Sequence, residues 1–159
     1  MANQTPARLP LLFSYRDTLF GNGFLVEVQI QNGRALGVQE ADGFWMYGIN
    51  PGGMAASGTD LDTAHAAFRK TFSDMLVGLA IECDSFETFQ AAVDVFARET
   101  NAGFEPDWES AVAAVRRDKI AVAGLAQAPA ASPLSVTVSL KTQPRAEDNV
   151  PVSDALLAA

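Results

Sequence analysis

Few residues of this chain have the types and spacing that catalysis requires. His65 is the only histidine among 159 residues, so a Ser-His-Asp triad would have to be built around it, and no second histidine can share a metal with it. It lies next to Ala64, at the edge of an apolar helix stripe. The sequence has neither a G-x-S-x-G elbow nor a G-x-x-x-x-G-K-[ST] phosphate loop. We therefore predict no catalytic residue, no metal ligand and no cofactor.

Two further groups of side chains have structural explanations. Cys83 is the only cysteine, which excludes an internal disulfide and a cysteine-rich zinc site, and we predict a buried structural thiol. Four carboxylates precede the first predicted helix, where a metal-dependent nuclease would need them. Hairpin and helix-capping roles explain three of the four without a metal. The four are Glu40, Asp42, Asp60 and Asp62.

Charge is concentrated in one segment. The chain has a net charge of −8 and a pI near 4.5, which makes nucleic acid a poor electrostatic partner. Residues 82–109 hold eight acids and one base, Arg98, so this segment contributes −7 of the −8. Such a run is either a solvated helix face or a surface for a basic protein. We predict partner contacts at Glu82, Asp84, Glu87, Asp94 and Glu99.

The sequence has one tight basic cluster, formed by Arg116, Arg117 and Lys119. It fits the last turn of a helix better than a nucleic-acid patch.

The elements that must position these residues begin with strands. Asn22-Gly23, Asn32-Gly33 and Asp42-Gly43 each predict a two-residue type I′ hairpin turn. From Phe24 to Ile30, apolar and polar residues alternate with the period of a strand, and residues 36–40 repeat the pattern. The aromatic run from Phe44 to Ile49 predicts another strand. Its faces are Trp45, Tyr47 and Ile49 on one side and Phe44 and Met46 on the other.

Three helices are predicted after the turn at Pro51. The first begins after Thr59 or Asp60 and ends near Ile81, and the second runs from Phe86 to about Thr100. The third runs from Trp108 to Arg117. Their apolar stripes are Leu61, Ala64, Phe68, Phe72, Met75 and Leu79 in the first helix; Phe86, Phe89, Val93 and Phe96 in the second; and Trp108, Val112 and Val115 in the third.

The C-terminal part is predicted to be a linker, a strand and a tail. Composition shifts to Ala and Pro past Gly124, residues 134–142 alternate as a strand that Pro144 closes, and the last fifteen residues show no periodicity. The sequence leaves open whether that strand pairs within the chain or across an interface, and whether the tail packs on this sheet or on a neighbouring subunit.

Residues 1–124 are predicted to form one α+β domain with a helical extension, and residues 125–159 to pack on it or on a neighbour. The predicted fold is an antiparallel β-meander packed on one long helix, with two further helices and a C-terminal strand.

Part of the sequence resembles the HicB-like antitoxin domain. The resemblance covers about residues 35–80. It consists of a β-hairpin whose second strand starts with Gly and an aromatic residue, then a Pro-Gly turn, a short third strand ending in Gly, and a capped helix. The matching residues are Gly43, Trp45, Pro51, Gly52, Gly58 and Ala64. This chain departs from the pattern in three ways. Gly53 stands where the family often has a cysteine, and the run from Pro51 to Gly58 is one residue longer than usual. An additional strand, about Phe24 to Ile30, precedes the matched hairpin.

The resemblance implies a partial RNase H-like fold without catalytic carboxylates. It also implies that the protein binds and silences a small basic HicA-type toxin that cleaves mRNA. Many members also carry a C-terminal ribbon-helix-helix or helix-turn-helix that dimerises and binds operator DNA. Residues 82–159 show no basic recognition helix, so the sequence does not predict operator binding.

The first functional hypothesis is therefore a non-enzymatic, HicB-like antitoxin or a derived protein-binding module. A small-molecule binder or weak enzyme using a cleft between Trp45, Tyr47 and the helix of His65 is the second. A homo-oligomeric relative with no toxin partner is the third. No apolar run approaches the ~20 residues of a membrane span, and residues 1–10 lack a signal-peptide core, so we expect a cytoplasmic protein with no membrane partner.

Overall fold

A computed structural model describes residues 8–118, 125–126, 128–129, 132–141 and 156–159. These form an antiparallel sheet and three helices, which confirms the predicted α+β fold. The strands are β1 (Arg8–Phe20), β2 (Leu25–Glu40), β3 (Gly43–Asn50), β4 (Ala55–Gly58), β5 (Ser135–Lys141) and β6 (Leu156–Ala158). The helices are α1 (Leu61–Glu82), α2 (Phe86–Arg98) and α3 (Glu105–Asp118). No helix in the described ranges is long and apolar enough to cross a bilayer.

The long hairpin of β1 and β2 is the centre of the sheet. On the side away from β1, β2 pairs first with β5, from Leu25 to Gln31, and then with β3, from Arg34 to Glu40. Strand β4 lies outside β3, and β6 pairs with β1 on the opposite side. The C-terminal strand therefore pairs within the chain, which answers the question that the sequence left open.

The prediction of a hairpin at Asn32-Gly33 was wrong. Strand β2 continues through this dipeptide, where Asn32 has φ of 60° and the register with β1 shifts between Phe13 and Tyr15. Three steps along β2, from Ile30 to Gly33, face two steps along β1, which defines a β-bulge. Because the bulge adds one residue, Ile30 and Ala35 point to the same side and both are fully buried. The predicted additional strand, Phe24 to Ile30, is thus the first half of β2.

The other two reversals are confirmed in position, although neither turn is of type I′. The amide of Gly21 donates to the carbonyl of Phe24 (2.8 Å) around Asn22-Gly23, and only Gly23 has positive φ there, at 81°. In the β2–β3 turn Glu40 pairs with Gly43, so Ala41 and Asp42 are the central residues. Gly43 opens β3 with φ of 143°.

Helices α1 and α2 cover one face of the sheet and form the main core with it. The Asp60 side chain caps α1 by accepting from the amide of Thr63, as predicted for Thr59 or Asp60. A Ser85–Thr88 capping box, which was not predicted, begins α2. Met75 is a correction, because it is 43% exposed and Leu76 is buried in its place. The buried positions are Ala64, Phe68, Phe72, Leu76 and Ala80 in α1 and Phe89, Val93 and Ala97 in α2.

Helix α3 packs on the other face of the sheet. It begins at Glu105, three residues before the predicted start, and its residues Trp108 and Ala111 contact Leu36, Val38 and Ile49. The chain end also packs on this sheet: Ala158 exchanges hydrogen bonds with Ala126 and Ala128, and β6 pairs with Leu11–Phe13. The described tail residues thus contact their own chain. Gly124, most of the tail, Pro144 and Lys119 lie outside the described residues.

Candidate partner-binding surface

The structure divides the acidic segment into two parts with different roles. On α3, Glu105 accepts from Arg34 of β2 (3.2 Å) and Asp107 pairs with Arg8 of β1 (2.9 Å). Arg34 also stacks over the ring of Trp108 at 5.0 Å, which draws α3 against the sheet. These two carboxylates therefore serve the packing of α3 and are already paired with cations.

The acids around α2 remain open to solvent. Glu82 ends α1, Asp84 lies in the link to α2, Glu87 is in the first turn of α2 and Glu99 is its C-cap, and all four are exposed. Within the described part of the chain, none of the four forms an ion pair. The predicted site residue Asp94 is also exposed, but Arg98 binds it at 2.8 Å. The only base of the segment is thus already engaged by one acid, and the other four keep an uncompensated charge.

Two of these acids line a groove between α2 and β5. The groove has a volume of about 360 Å³ and is lined by Glu87, Gln90, Ala91, Asp94, Val136 and Val138. Glu87 and Asp94 are seven positions apart, which places them on one face of the helix, two turns from each other. The Gln90 side chain crosses the groove and donates to the carbonyl of Val138 (3.1 Å). This groove was not foreseen, because β5 reaches α2 only through long-range pairing.

Gly43 and Gly58, two of the residues on which the sequence resemblance rests, lie at the junction of β3, β4 and α1. A Cβ on Gly43 would lie 2.7 Å from the carbonyl oxygen of Gly58, and a Cβ on Gly58 would lie 2.5 Å from the amide nitrogen of Ala64. Ala64 is itself fully buried beneath the sheet. The backbones therefore approach closely here, and three motif positions are explained by packing.

The remaining motif residues also have structural surroundings. Trp45 stacks on Tyr47 with ring centroids 5.7 Å apart, and Tyr47 stacks on Phe104 at 4.7 Å. Pro51 is buried and follows a cis peptide bond, and the amide of Gly52 donates to the carbonyl of Glu99 (2.9 Å). The motif thus connects the sheet to the end of α2.

The aromatic pair of the second hypothesis does not face the histidine helix. Tyr47 points to the α3 side of the sheet, as does Trp45, two residues before it on the same strand face. Helix α1, which carries His65, packs on the opposite side against Phe44 and Met46. The sheet therefore lies between the two parts of the proposed cleft.

Two of the four acids before α1, Glu40 and Asp60, form separate structural hydrogen bonds. Glu40 accepts from the hydroxyl of Tyr47 (2.9 Å), and burial of Tyr47, followed by this bond, raises the pKa of the tyrosine. Asp60 caps α1, and its hydrogen bonds from Thr63 lower the pKa of its carboxyl. No three His, Cys, Asp or Glu residues among those described are arranged to hold a metal ion.

Arg116 of the predicted basic cluster has a structural role, since it donates to the carbonyls of Ala128 and Pro129. Cys83 is partly buried against the main core at the end of α1.

A charge cluster on the sheet was not predicted from the sequence. Glu27 on β2 lies between Arg16 of β1 (3.0 Å) and Lys141 of β5 (2.9 Å), and its side chain is only 15% exposed. Burial alone would raise the pKa of Glu27, but hydrogen bonds from the two cations outweigh it and hold the pKa below the usual 4.5. The cluster connects three strands, so only the sheet pairing reveals it.

The lowered pKa of Glu27 predicts a contribution to stability that acid removes. The unfolded chain takes up the proton first, so the contribution is fully present above pH 4.5 and declines as the pH falls through the folded-state value. We expect Glu27→Gln to destabilise the protein at neutral pH, with a deficit that shrinks below about pH 4.5. Urea unfolding of both proteins at several pH values between about 3 and 7 measures this difference in the free energy of unfolding. That range brackets the usual pKa values of carboxyl groups. A deficit that is independent of pH would contradict the ionic role of Glu27.

Comparisons of this chain with protein-family models, with curated protein sequences and with solved structures each gave no match. The class that the fold and surface define is therefore a structural one. It is an antiparallel α+β domain with helices on both faces of its sheet and unpaired carboxylates around α2.

Proposed function

We propose that this chain is a non-catalytic protein-binding module of the HicB-like antitoxin type that binds a small basic, HicA-like partner in the cytoplasm. The contact surface comprises Glu82, Asp84, Glu87, Asp94 and Glu99. One observation carries the proposal: within residues 82–109 two of the three acids on α3, Glu105 and Asp107, are used for packing, while four of the five around α2 are exposed and uncompensated. An excess of unpaired like charge on one surface is complementary to a partner of opposite charge.

The local order of elements supports the family part of the proposal. The β2–β3 hairpin places Gly43 at the start of β3, the Pro51-Gly52 turn follows, β4 ends at Gly58, and Asp60 caps α1. This is the succession that the resemblance implies for an antitoxin domain. The motif residues Gly43, Gly58 and Ala64 serve backbone packing, so partner selection is assigned to the exposed acidic surface instead.

Removing three of the four open charges is expected to weaken partner binding strongly. We would substitute Glu82→Gln, Asp84→Asn and Glu87→Gln together, because these side chains are exposed and lie outside the hydrophobic core. The tagged protein would be isolated from its native host at low salt, and associated proteins identified by mass spectrometry. We expect a small basic protein with the unmodified chain, released by added salt because screening weakens interactions between exposed charges, and at least a ~10-fold lower recovery with the triple variant, as ~1.4 kcal/mol of lost attraction gives.

A matched control separates position from net charge. Asp42→Asn, Asp62→Asn and Glu109→Gln remove the same total charge from exposed sites away from α2 and should leave recovery unchanged. Equal loss in both triple variants would mean that overall charge, not this surface, attracts the partner. Recovery of the chain alone at a multiple of its own mass would instead favour the homo-oligomeric relative.

A further inference from the structure

Strand β5 is an edge strand in the part of the chain that the structure describes. It pairs with Leu25–Gln31 of β2, and no described strand pairs with its other side. An unpaired strand edge presents a row of backbone donors and acceptors to an incoming chain. The groove against α2 is lined by Val136 and Val138 of this strand, so its outward backbone groups and the acids Glu87 and Asp94 face one space.

The hydrogen-bond pattern determines which groups of β5 point outward. The bond from Gly21 to Phe24 closes the β1–β2 turn, and bonded and non-bonded pairs alternate from there along the ladder. Val28 therefore directs its amide and carbonyl toward β1, and its partner on the other side, Val138, directs its own away from the sheet. The bond from Gln90 to the Val138 carbonyl agrees with this direction. By the same alternation, Val136 and Leu140 also present outward groups.

The charge of the groove selects among the chains that could occupy this edge. Its ionisable lining residues are Glu87, which has no ion pair among the described residues, and Asp94, which Arg98 binds from outside the groove; no basic residue lines the groove itself. A second copy pairing edge to edge in two-fold symmetry would bring these acids toward their own counterparts. A basic segment meets opposite charge instead. Alternate residues of an extended strand lie about 7 Å apart, and Glu87 and Asp94 about 10.5 Å apart along α2, a difference that long Lys and Arg side chains span.

We propose that an extended basic segment of the protein partner adds to β5 as a further strand of the sheet. Its backbone bonds to Val136, Val138 and Leu140, taking over the position of the Gln90 amide. Its basic side chains on the α2 side contact Glu87 and Asp94. This mode of recognition combines main-chain bonding for affinity with alternate side chains for specificity. The inference rests on the proposed function and specifies how the partner binds.

The test uses the full chain and a defined probe. The probe is a short, acetylated and amidated peptide in which Lys or Arg alternates with Val or Thr. Amide hydrogen exchange of the protein is followed by NMR with and without peptide. At a peptide concentration of about ten times Kd, we expect exchange at Val136, Val138 and Leu140 to slow by about 10-fold. Glu87→Gln should weaken binding, whereas Glu109→Gln on α3 should not.

Two methylated versions of the peptide distinguish strand addition from simple charge attraction. N-methylation of every second residue removes the donors that face one side of the strand. One of the two alternate methylation patterns should abolish binding and the other should leave it intact. If both peptides bind equally, the surface attracts basic chains without strand pairing, and this inference fails while the proposed function stands.

Other outcomes are also decisive. Slow exchange at Val136, Val138 and Leu140 before any peptide is added, at every protein concentration, would mean that the chain's own residues cover the edge. Protection that grows with protein concentration alone would assign the edge to a second copy. Absence of peptide binding by both the unmodified chain and Glu87→Gln would overturn the inference, and the host-partner isolation would then decide the proposed function independently.

Discussion

Replacement of Phe72 by alanine is expected to lower the free energy of unfolding by about 3–5 kcal/mol. Phe72 is fully buried, and its ring lies 4.6 Å from Tyr15, 6.1 Å from Phe13 and 5.7 Å from Phe96. It therefore connects α1 with both β1 and α2, and its removal leaves a cavity among three elements. With a urea m-value of about 2 kcal/mol/M, the midpoint of unfolding should fall by roughly 2 M.

Phe20→Ala is the matched control for this substitution. Phe20 is 80% exposed at the end of β1, so the same change of side chain should alter the free energy of unfolding by no more than about 0.5 kcal/mol. Similar midpoints for the two variants would mean that Phe72 does not occupy the main core. Because a domain is stable by only about 5–15 kcal/mol, the Phe72 variant should be prepared at low temperature.

Gly43→Ala is expected to destabilise the protein by about 2–4 kcal/mol, from backbone strain and overpacking together. Its φ of 143° is a conformation that residues with a Cβ rarely adopt. The added methyl group would also lie 2.7 Å from the Gly58 carbonyl, which belongs to backbone and cannot rotate away. Thermal and urea unfolding both measure the loss.

Gly53→Ala provides the control for the glycine substitution. A Cβ at Gly53 meets nothing within 4 Å, and this residue has no positive φ, so the change should be neutral or stabilise by up to about 1 kcal/mol. An undisturbed Gly43→Ala protein would show that the β3–β4 junction is looser than described. If the destabilised variant still binds the basic partner below its unfolding temperature, the motif glycine serves the fold and the acidic surface serves recognition.

Binding and stability should therefore be separable in this protein. The exposed acids Glu82, Asp84 and Glu87 lie outside the core, so their neutralisation should change partner recovery with little effect on unfolding. The charges of Arg8, Arg34 and their acidic partners behave differently, because they fix α3 to the sheet. A charge count from the sequence treats both groups alike.

Local patterns in the sequence determined much of the secondary structure. Periodicity and capping residues located α1 and α2 closely, since Asp60 and Ser85 act on the next turn of the chain. The alternation around Val138 likewise predicted β5, and the aromatic run predicted both faces of β3. These features depend on neighbours within a few residues, which is the range that a sequence pattern describes.

Only the tertiary structure decided which elements meet. Asn32-Gly33 has the composition of a turn, yet pairing with β1 on one side and with β5 and β3 on the other keeps β2 extended, so the dipeptide forms a bulge. The cluster of Arg16, Glu27 and Lys141 and the groove of Glu87 beside Val138 likewise join residues far apart in the chain. The sequence determined by itself most of the helices and strands and the excess of acid. The pairing of strands determined which acids are neutralised and which remain open, because a carboxylate is compensated by the cation that the fold brings near it.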